Sequence, residues 1–466
     1  MAGLTQLLNV ARDALTAQSY GLNVTGQNIS NASTPGYVRR VALLQTQNLG
    51  TQSGGGVVAT GLQRVTDDYI ERREFQATGT SSAATQRDQI LASVEGLFND
   101  SGGTGLGSSL NDLAASFSKL ATNPNDTTAR QSVLAAAQSF TEQANATGNA
   151  LAQSQIDLKQ QAQDTVDQVN ERAKAIAKLD TQIAQATMQG DDASDLKDQR
   201  TAQILGMAGL INTHTFTDGQ GNTVVQVAGT TIVDGSGKAG SLSLDLNSSD
   251  GSLKLLSNQS GGGATEITQF LTGGKLNGIK EARDTDLFDV SSKLNTLVFD
   301  VASALNTQHA AGVGADGGTG RNLFDVGTSS TNAARDVRVS VDVFNQPDKI
   351  AAASSALSLP GGSDNAVALS KIFDTQVTFG NTKTAAQAYG DLIGSIGTTR
   401  ASSQRDVDTQ GAILQQVTAM HQSESGVNLD EEMVNLTKYQ NAYQAASKMI
   451  GVADNLMQTL LNTVGR

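Results

Sequence analysis

A chain of 466 residues with a formal charge of −13 and neither cysteine nor tryptophan excludes several kinds of protein at the outset. Without cysteine there is no disulfide framework, thiolate zinc site or cysteine nucleophile. Acidic charge spread along the chain disfavours nucleic acid and anionic membranes, which require clustered lysine and arginine.

The length suffices for two to four domains. The bias to glycine, alanine, serine, threonine, asparagine and glutamine suits elongated helical layers and small β units better than one large globular core. Residues 1–31 read as a helix with Leu4, Leu8, Ala11, Leu15, Leu22 and Ile29 on one seam, interrupted at Gln18 and Thr25. The segment has no basic start, and Arg12 and Asp13 break its apolar run, so it does not read as a cleavable signal peptide. No stretch approaches the ~18 consecutive apolar residues of a membrane span. Pro35 pushes Thr34 out of helical geometry, and Gly36 before Tyr37 supplies a permissive turn.

An extended stretch, "YVRRVALLQTQN", precedes a Gly/Ser tract at 50–56 and a predicted strand, "VVATGLQRV"; helix resumes near Asp67. Leu106, Leu110, Leu113, Phe117 and Leu120 recur at helical spacing. After Pro124 comes a long helix from about 129 to 188, with Val166, Val169, Ala173, Ile176 and Ile183 on its stripe; unbroken, it would span roughly 90 Å. "QGDDASDL" is a turn with a new N-terminus capped at Ser194, and a helix over 194–209 returns antiparallel. From 212 to 276 the period changes to two, with Leu242, Leu244 and Leu246 on one face and hairpin turns at Asp234-Gly235 and Asp250-Gly251. Helix returns over 276–310 with Leu294, Leu297, Val298, Val301 and Leu305. "RDVRVSVDVF" reads as a strand at 336–344, and a helix over 383–422 leads to the C-terminal segment.

That last segment is a heptad seam: Leu429, Leu436, Tyr443, Ile450, Met457 and Val464 fall seven apart, and Tyr439, Ala446, Ala453 and Leu460 fill the offset position. Ordering costs roughly 1–2 kcal/mol per residue of backbone, and this seam is diluted by alanine and glutamine. The two ends are therefore expected to pair weakly, to be unstable alone and to need neighbouring subunits on their free faces. Nothing resembles a catalytic constellation. His214, His309 and His421 lack metal-ligand spacing. "GADGGTGRNLFD" has no terminal glutamate to complete a calcium loop. Asp430, Glu431 and Glu432 read as favouring a helix N-terminus through its dipole.

The N-terminal "LNVTGQNISNASTPGYVRR" resembles the signature shared by bacterial flagellar rod, hook and hook-associated proteins. "SGVNLDEEMVNLTKYQNAYQAASKMIGVADNLMQTLLNTV" is closer to one family, the hook-associated proteins of the hook–filament junction (FlgK type). "GLQRVTDDYI", "ASDLKDQR" and "LNTQHAAGVGADGGTGRNLF" resemble further pieces of it. The resemblance implies a mixed, mainly α, elongated chain with terminal helices paired as a coiled coil, a central helical bundle and one inserted antiparallel β domain. Its expected divisions are 1–48 with 423–466, 49–211 with 277–422, and 212–276. It implies a structural, non-enzymatic adaptor without cofactor or metal. Such an adaptor would self-assemble into a helical layer between hook protein and a second junction protein, outside the cell. It would be exported by the flagellar type III route, with a chaperone on the C-terminal helix. The axial signature falls on Asn28, Asn31, Pro35, Gly36 and Tyr37. A hook or distal rod protein is the alternative, although hook proteins are mostly β between their ends.

Overall fold

The computed structural model describes residues 2–47, 55–100, 103–245, 248, 251–258 and 263–464. The chain opens with α1 (Ala2–Asn31), then an antiparallel hairpin of β1 (Arg40–Thr46) and β2 (Val57–Arg64) with an irregularity at Leu43/Leu44. Most of the predicted Gly/Ser tract lies outside the described residues. Helices α2 (Asp68–Leu97), α3 (Leu106–Thr122), α4 (Thr127–Met188) and α5 (Ser194–Ala208) follow.

Two helix starts show why these boundaries fall where they do. The carboxylate of Asp67 accepts the N–H groups of Tyr69 and Ile70, and that of Asp126 accepts Thr128 N–H, relieving first-turn donors that have no partner within the helix. Helix α4 runs unbroken for 62 residues, about 90 Å. It serves as the spine. Leu113, Phe117 and Leu120 of α3 are fully buried together with Val133, Ala137 and Phe140 of α4. Phe140 also meets Phe324 edge to face, with centroids 5.7 Å apart. The turn into α5 differs from expectation. Ser194 does not cap the helix with its side chain; Asp191 and Asp192 accept the N–H groups of Ala193 and Ser194, and Ala193 is left-handed at φ 55°.

The period-two segment forms two three-stranded antiparallel sheets. One joins β3 (Thr213–Thr217), β4 (Thr223–Val227) and β5 (Thr230–Val233); the other joins β6 (Ser241–Asp245), β7 (Lys254–Asn258) and β8 (Ala264–Glu266). Leu242 and Leu244 are buried; Leu246 and Asp250 lie outside the described residues. Asp234-Gly235 does not make a two-residue hairpin. The turn extends to Lys238, whose N–H and that of Ser236 bond to the Asp234 carboxylate, and it carries the chain from one sheet to the other. Asn170 of α4 fastens this lobe: its amide donates to Leu242 O at 2.9 Å and accepts Leu242 N–H at 2.8 Å.

Helix α6 (Gly274–Glu281) passes through a π turn at Ala282–Leu287 into α7 (Phe288–Ala311). That turn carries Asp284, which accepts Leu253 N–H, and Asp286, which binds Arg87 of α2 through two bonds of 2.8 and 3.0 Å. A Cβ at Gly278 would lie 2.4 Å from Ala83 O, so the close crossing of α2 and α6 requires glycine there. The predicted strand at 336–344 is mostly absent. Helix α8 (Ala333–Asp336) occupies its start, and only Arg338–Val339 (β10) pairs with Phe324–Asp325 (β9). Asn145 of α4 holds the carbonyls of Ala334 and Val337 from below. Helix α9 (Asp364–Lys371) precedes α10 (Ala385–Ser425), which begins with a Thr384/Gln387 capping box and lies along α2. Helix α11 (Leu429–Val464) then packs on α1. Among the described residues the main apolar core draws on α2 through α10 and includes no side chain of α1 or α11.

Candidate assembly interface

The turn after α1 is a β-turn in which Tyr37 N–H bonds to Thr34 O. Pro35 fits its second position and Gly36, at φ 77°, its third, where an L side chain would be strained. The turn aims Tyr37 back at the helix, and Asn28 is the hub. Its Oδ1 accepts Tyr37 O–H at 2.9 Å and Arg40 N–H at 3.1 Å; its Nδ2 donates to Arg40 O at 2.8 Å and to Glu432 Oε2 at 3.1 Å. All the bonding capacity of one buried amide is thus spent on three elements. Asn31 acts locally, donating to Gln27 O and accepting from Thr34 Oγ1.

Around this hub lies a belt of charge. Arg39 bonds through Nε to Glu432 at 2.8 Å and pairs with Glu431, while its N–H bonds to Ser425 O at the end of α10. Arg40, stacked 4.7 Å from the Tyr37 ring centre, reaches Asp195 and Asp198 of α5; Arg64 of β2 also holds Asp198. Sequence reasoning missed these arginines and gave Glu432 only a dipole role. The signal was present in the adjacent "RR" after the turn and in "ASDLKDQR", whose acids meet it. Glu432 is 2% exposed, and a buried carboxylate requires partners.

Helices α1 and α11 run antiparallel, since Gly21 meets Tyr439 and Asn28 meets Glu432. A Cβ at Gly21 would stand 2.6 Å from the Tyr439 ring. The seam is closed by small side chains: Ala11, Ala17, Gly21, Val24 and Thr25 from α1, and Ala446 and Ala453 from α11. Thr25, read as an interruption, is buried within it. The larger heptad residues flank the seam. Leu4, Leu8, Leu15, Leu22, Ile29, Asn31, Tyr37, Leu436, Tyr439, Ile450 and Met457 are half-buried, whereas Pro35, Gly36, Leu429, Tyr443 and Leu460 are exposed. The Val464 side chain lies outside what the structure describes. Leu15 and Tyr443 border one surface groove with Tyr20.

The rest of α11 presents Met433, Val434, Met449, Val452, Leu456 and Leu461 to solvent, each at least 38% exposed. Scattered apolar residues are ordinary on a surface, but a succession of them along one paired helix is a candidate interaction face. No helix of the described chain is long and apolar enough to cross a membrane.

Three family profiles match. "Flagellar hook-associated protein FlgK helical domain" covers residues 91–324, half of the chain; "Flagella basal body rod protein" covers 8–37; "Flagellar basal body rod FlgEFG protein C-terminal" covers 421–463. Flagellar hook-associated protein 1 of Bacillus subtilis is 26% identical, with 98% of each chain covered. That of Salmonella typhimurium is 27% identical over 98% of this chain and its own full length. The flagellar hook junction protein FlgK from Burkholderia pseudomallei shares the fold, with a TM-score of 0.68 at 16% identity over 76% of this chain and all of that one. With the terminal matches falling on the two paired helices and the central match on the spine, the chain belongs to the FlgK family of flagellar hook-associated proteins, structural components of the flagellum and not enzymes.

Proposed function

We propose that the α1–α11 pair is the part by which this hook–filament junction protein enters the axial tube of the flagellum. Its apolar stripe would be covered by further copies of the chain, by hook protein on one side and by the next junction protein on the other. The observation that carries this reading is the division of labour on α11: alanines close the seam with α1, while Leu456, Leu460 and Leu461 are left uncovered. The charge belt would set the angle at which the pair leaves the helical bundle. The β lobe, fastened by Asn170 in the C-terminal third of the spine, would lie on the outer surface.

The same stripe would be the binding site of a chaperone before export by the flagellar type III route, and mature protein would be extracellular. The test is a gene deletion complemented with L456D/L460D. In the deletion strain, hooks without filaments and filament protein in the medium are expected. The variant should be exported, leave the purified chain's helix content unchanged and fail to restore filaments. Missing hooks in the deletion strain would instead favour a hook or distal rod role, and full restoration by the variant would overturn the interface.

A further inference from the structure

The last turn of α10 carries an ion pair that neither the seam nor the charge belt uses. His421 Nδ1 lies 2.7 Å from Glu74 Oε2 of α2. Glu74 is 7% exposed, and its other oxygen faces Thr418 Oγ1 at 3.4 Å. Glu71, one turn back on α2, also acts on the ring; its Oε1 and His421 Nε2 are both buried without a hydrogen-bond partner. From β2 comes Arg64, which opposes a charged imidazole, while Asp68 and Arg200 of α5 act on Glu71. On its own helix, Glu424 is exposed.

The position of this cluster matters. Ser425, four residues on, closes α10 and accepts Arg39 N–H; only 426–428 separate it from α11. Wherever the last turn of α10 sits on α2, the start of α11 follows. We propose that the Glu74–His421 pair is a proton-operated clamp at the waist of the molecule. With the imidazole charged, it holds the end of α10 on α2. With the imidazole neutral, Glu74 remains a buried carboxylate facing an uncharged ring, and the link to α11 loosens.

The direction follows from the surroundings. The hydrogen bond to Glu74 raises the pKa of His421 above its ordinary value, against the effect of burial. The clamp therefore contributes fully below about pH 6.5, where the unfolded imidazole titrates, and is lost as the pH rises through the higher folded value. Burial raises Glu71 as well, and its ionised form favours the charged imidazole.

Amide hydrogen exchange on the full chain, expressed as protection factors from about pH 5.5 to about 8.5 to bracket the imidazole, reads the clamp directly. Protection in the last turn of α10 and the first turn of α11 should fall several-fold with rising pH. In H421Q the profile should be flat. No fall in the native chain, or an equal fall in H421Q, overturns the proposal. Because H421Q could disorder the turn outright, the imidazole is also followed by NMR. His421 should titrate above about 6.5 in the native protein and lower in E74Q. Titration at or below the ordinary value, or indifference to E74Q, overturns it equally.

Discussion

At the scale of single residues, the junction depends on a few polar atoms that have no substitute. Asn28 is 1% exposed and makes four hydrogen bonds. Asn28→Ala leaves Arg40 N–H and the Glu432 carboxylate short of partners, a loss of about 1–3 kcal/mol per unsatisfied group. It should lower hydrogen-exchange protection in the first turn of α11 while leaving the urea midpoint of the helical bundle unchanged. His309 belongs to the bundle and titrates in the opposite sense to His421. It is 1% exposed; Nδ1 donates to Arg321 O and Nε2 accepts Ala351 N–H. Burial depresses its pKa. Its stabilising contribution is thus complete above the unfolded value of about 6.5 and is lost as the pH falls through the folded value. Urea unfolding of the bundle should show its midpoint falling in acid, and H309Q should flatten that dependence.

At the scale of elements, the terminal pair is close because it is made of small residues. Gly21→Val should push the Tyr439 ring away from α1 and cost about 1–3 kcal/mol, as overpacking does. Combined with Tyr439→Ala, the loss should be less than additive, because the clash disappears with the ring. Exchange rates in the middle of α11 would measure that coupling. An alanine seam buries little area per residue, so the pair has little stability to spare. The same economy leaves Leu456, Leu460 and Leu461 of α11 exposed to solvent.

At the scale of the whole molecule, we propose three parts: the ends (1–48 with 423–466), the bundle (49–211 with 277–422) and the β lobe (212–276). The main core omits α1 and α11 among the described residues, so trimming both ends should leave the melting temperature of the bundle nearly unchanged. Circular dichroism compares the intact and trimmed chains. If the free ends are as unstable as their seam suggests, trimming removes less helix than the lengths of α1 and α11 would supply. A loss equal to those full lengths would mean that the pair stands firmly by itself.

The sequence by itself determined the long helices, because 3.6-residue periodicity is local. The stripes at Leu106–Leu120 and Leu294–Leu305 are buried as their spacing requires, and the heptads of α11 announced a helix that needs partners. It could not announce the waist. Arg39 and Glu432 lie 393 residues apart, and Arg40 and Asp198 lie 158 apart; no periodicity links such residues, and each alone reads as a solvated charge. Nor could it separate strand from turn at 340–344, where the valines alternate as in a strand but Ser340 O accepts the N–H groups of Val343 and Phe344 and Ser340 Oγ that of Asp342. Tertiary structure also chose which heptad residues close the seam. An antiparallel approach close enough for Gly21 to touch Tyr439 admits alanine between the helices and leaves leucine at the edge.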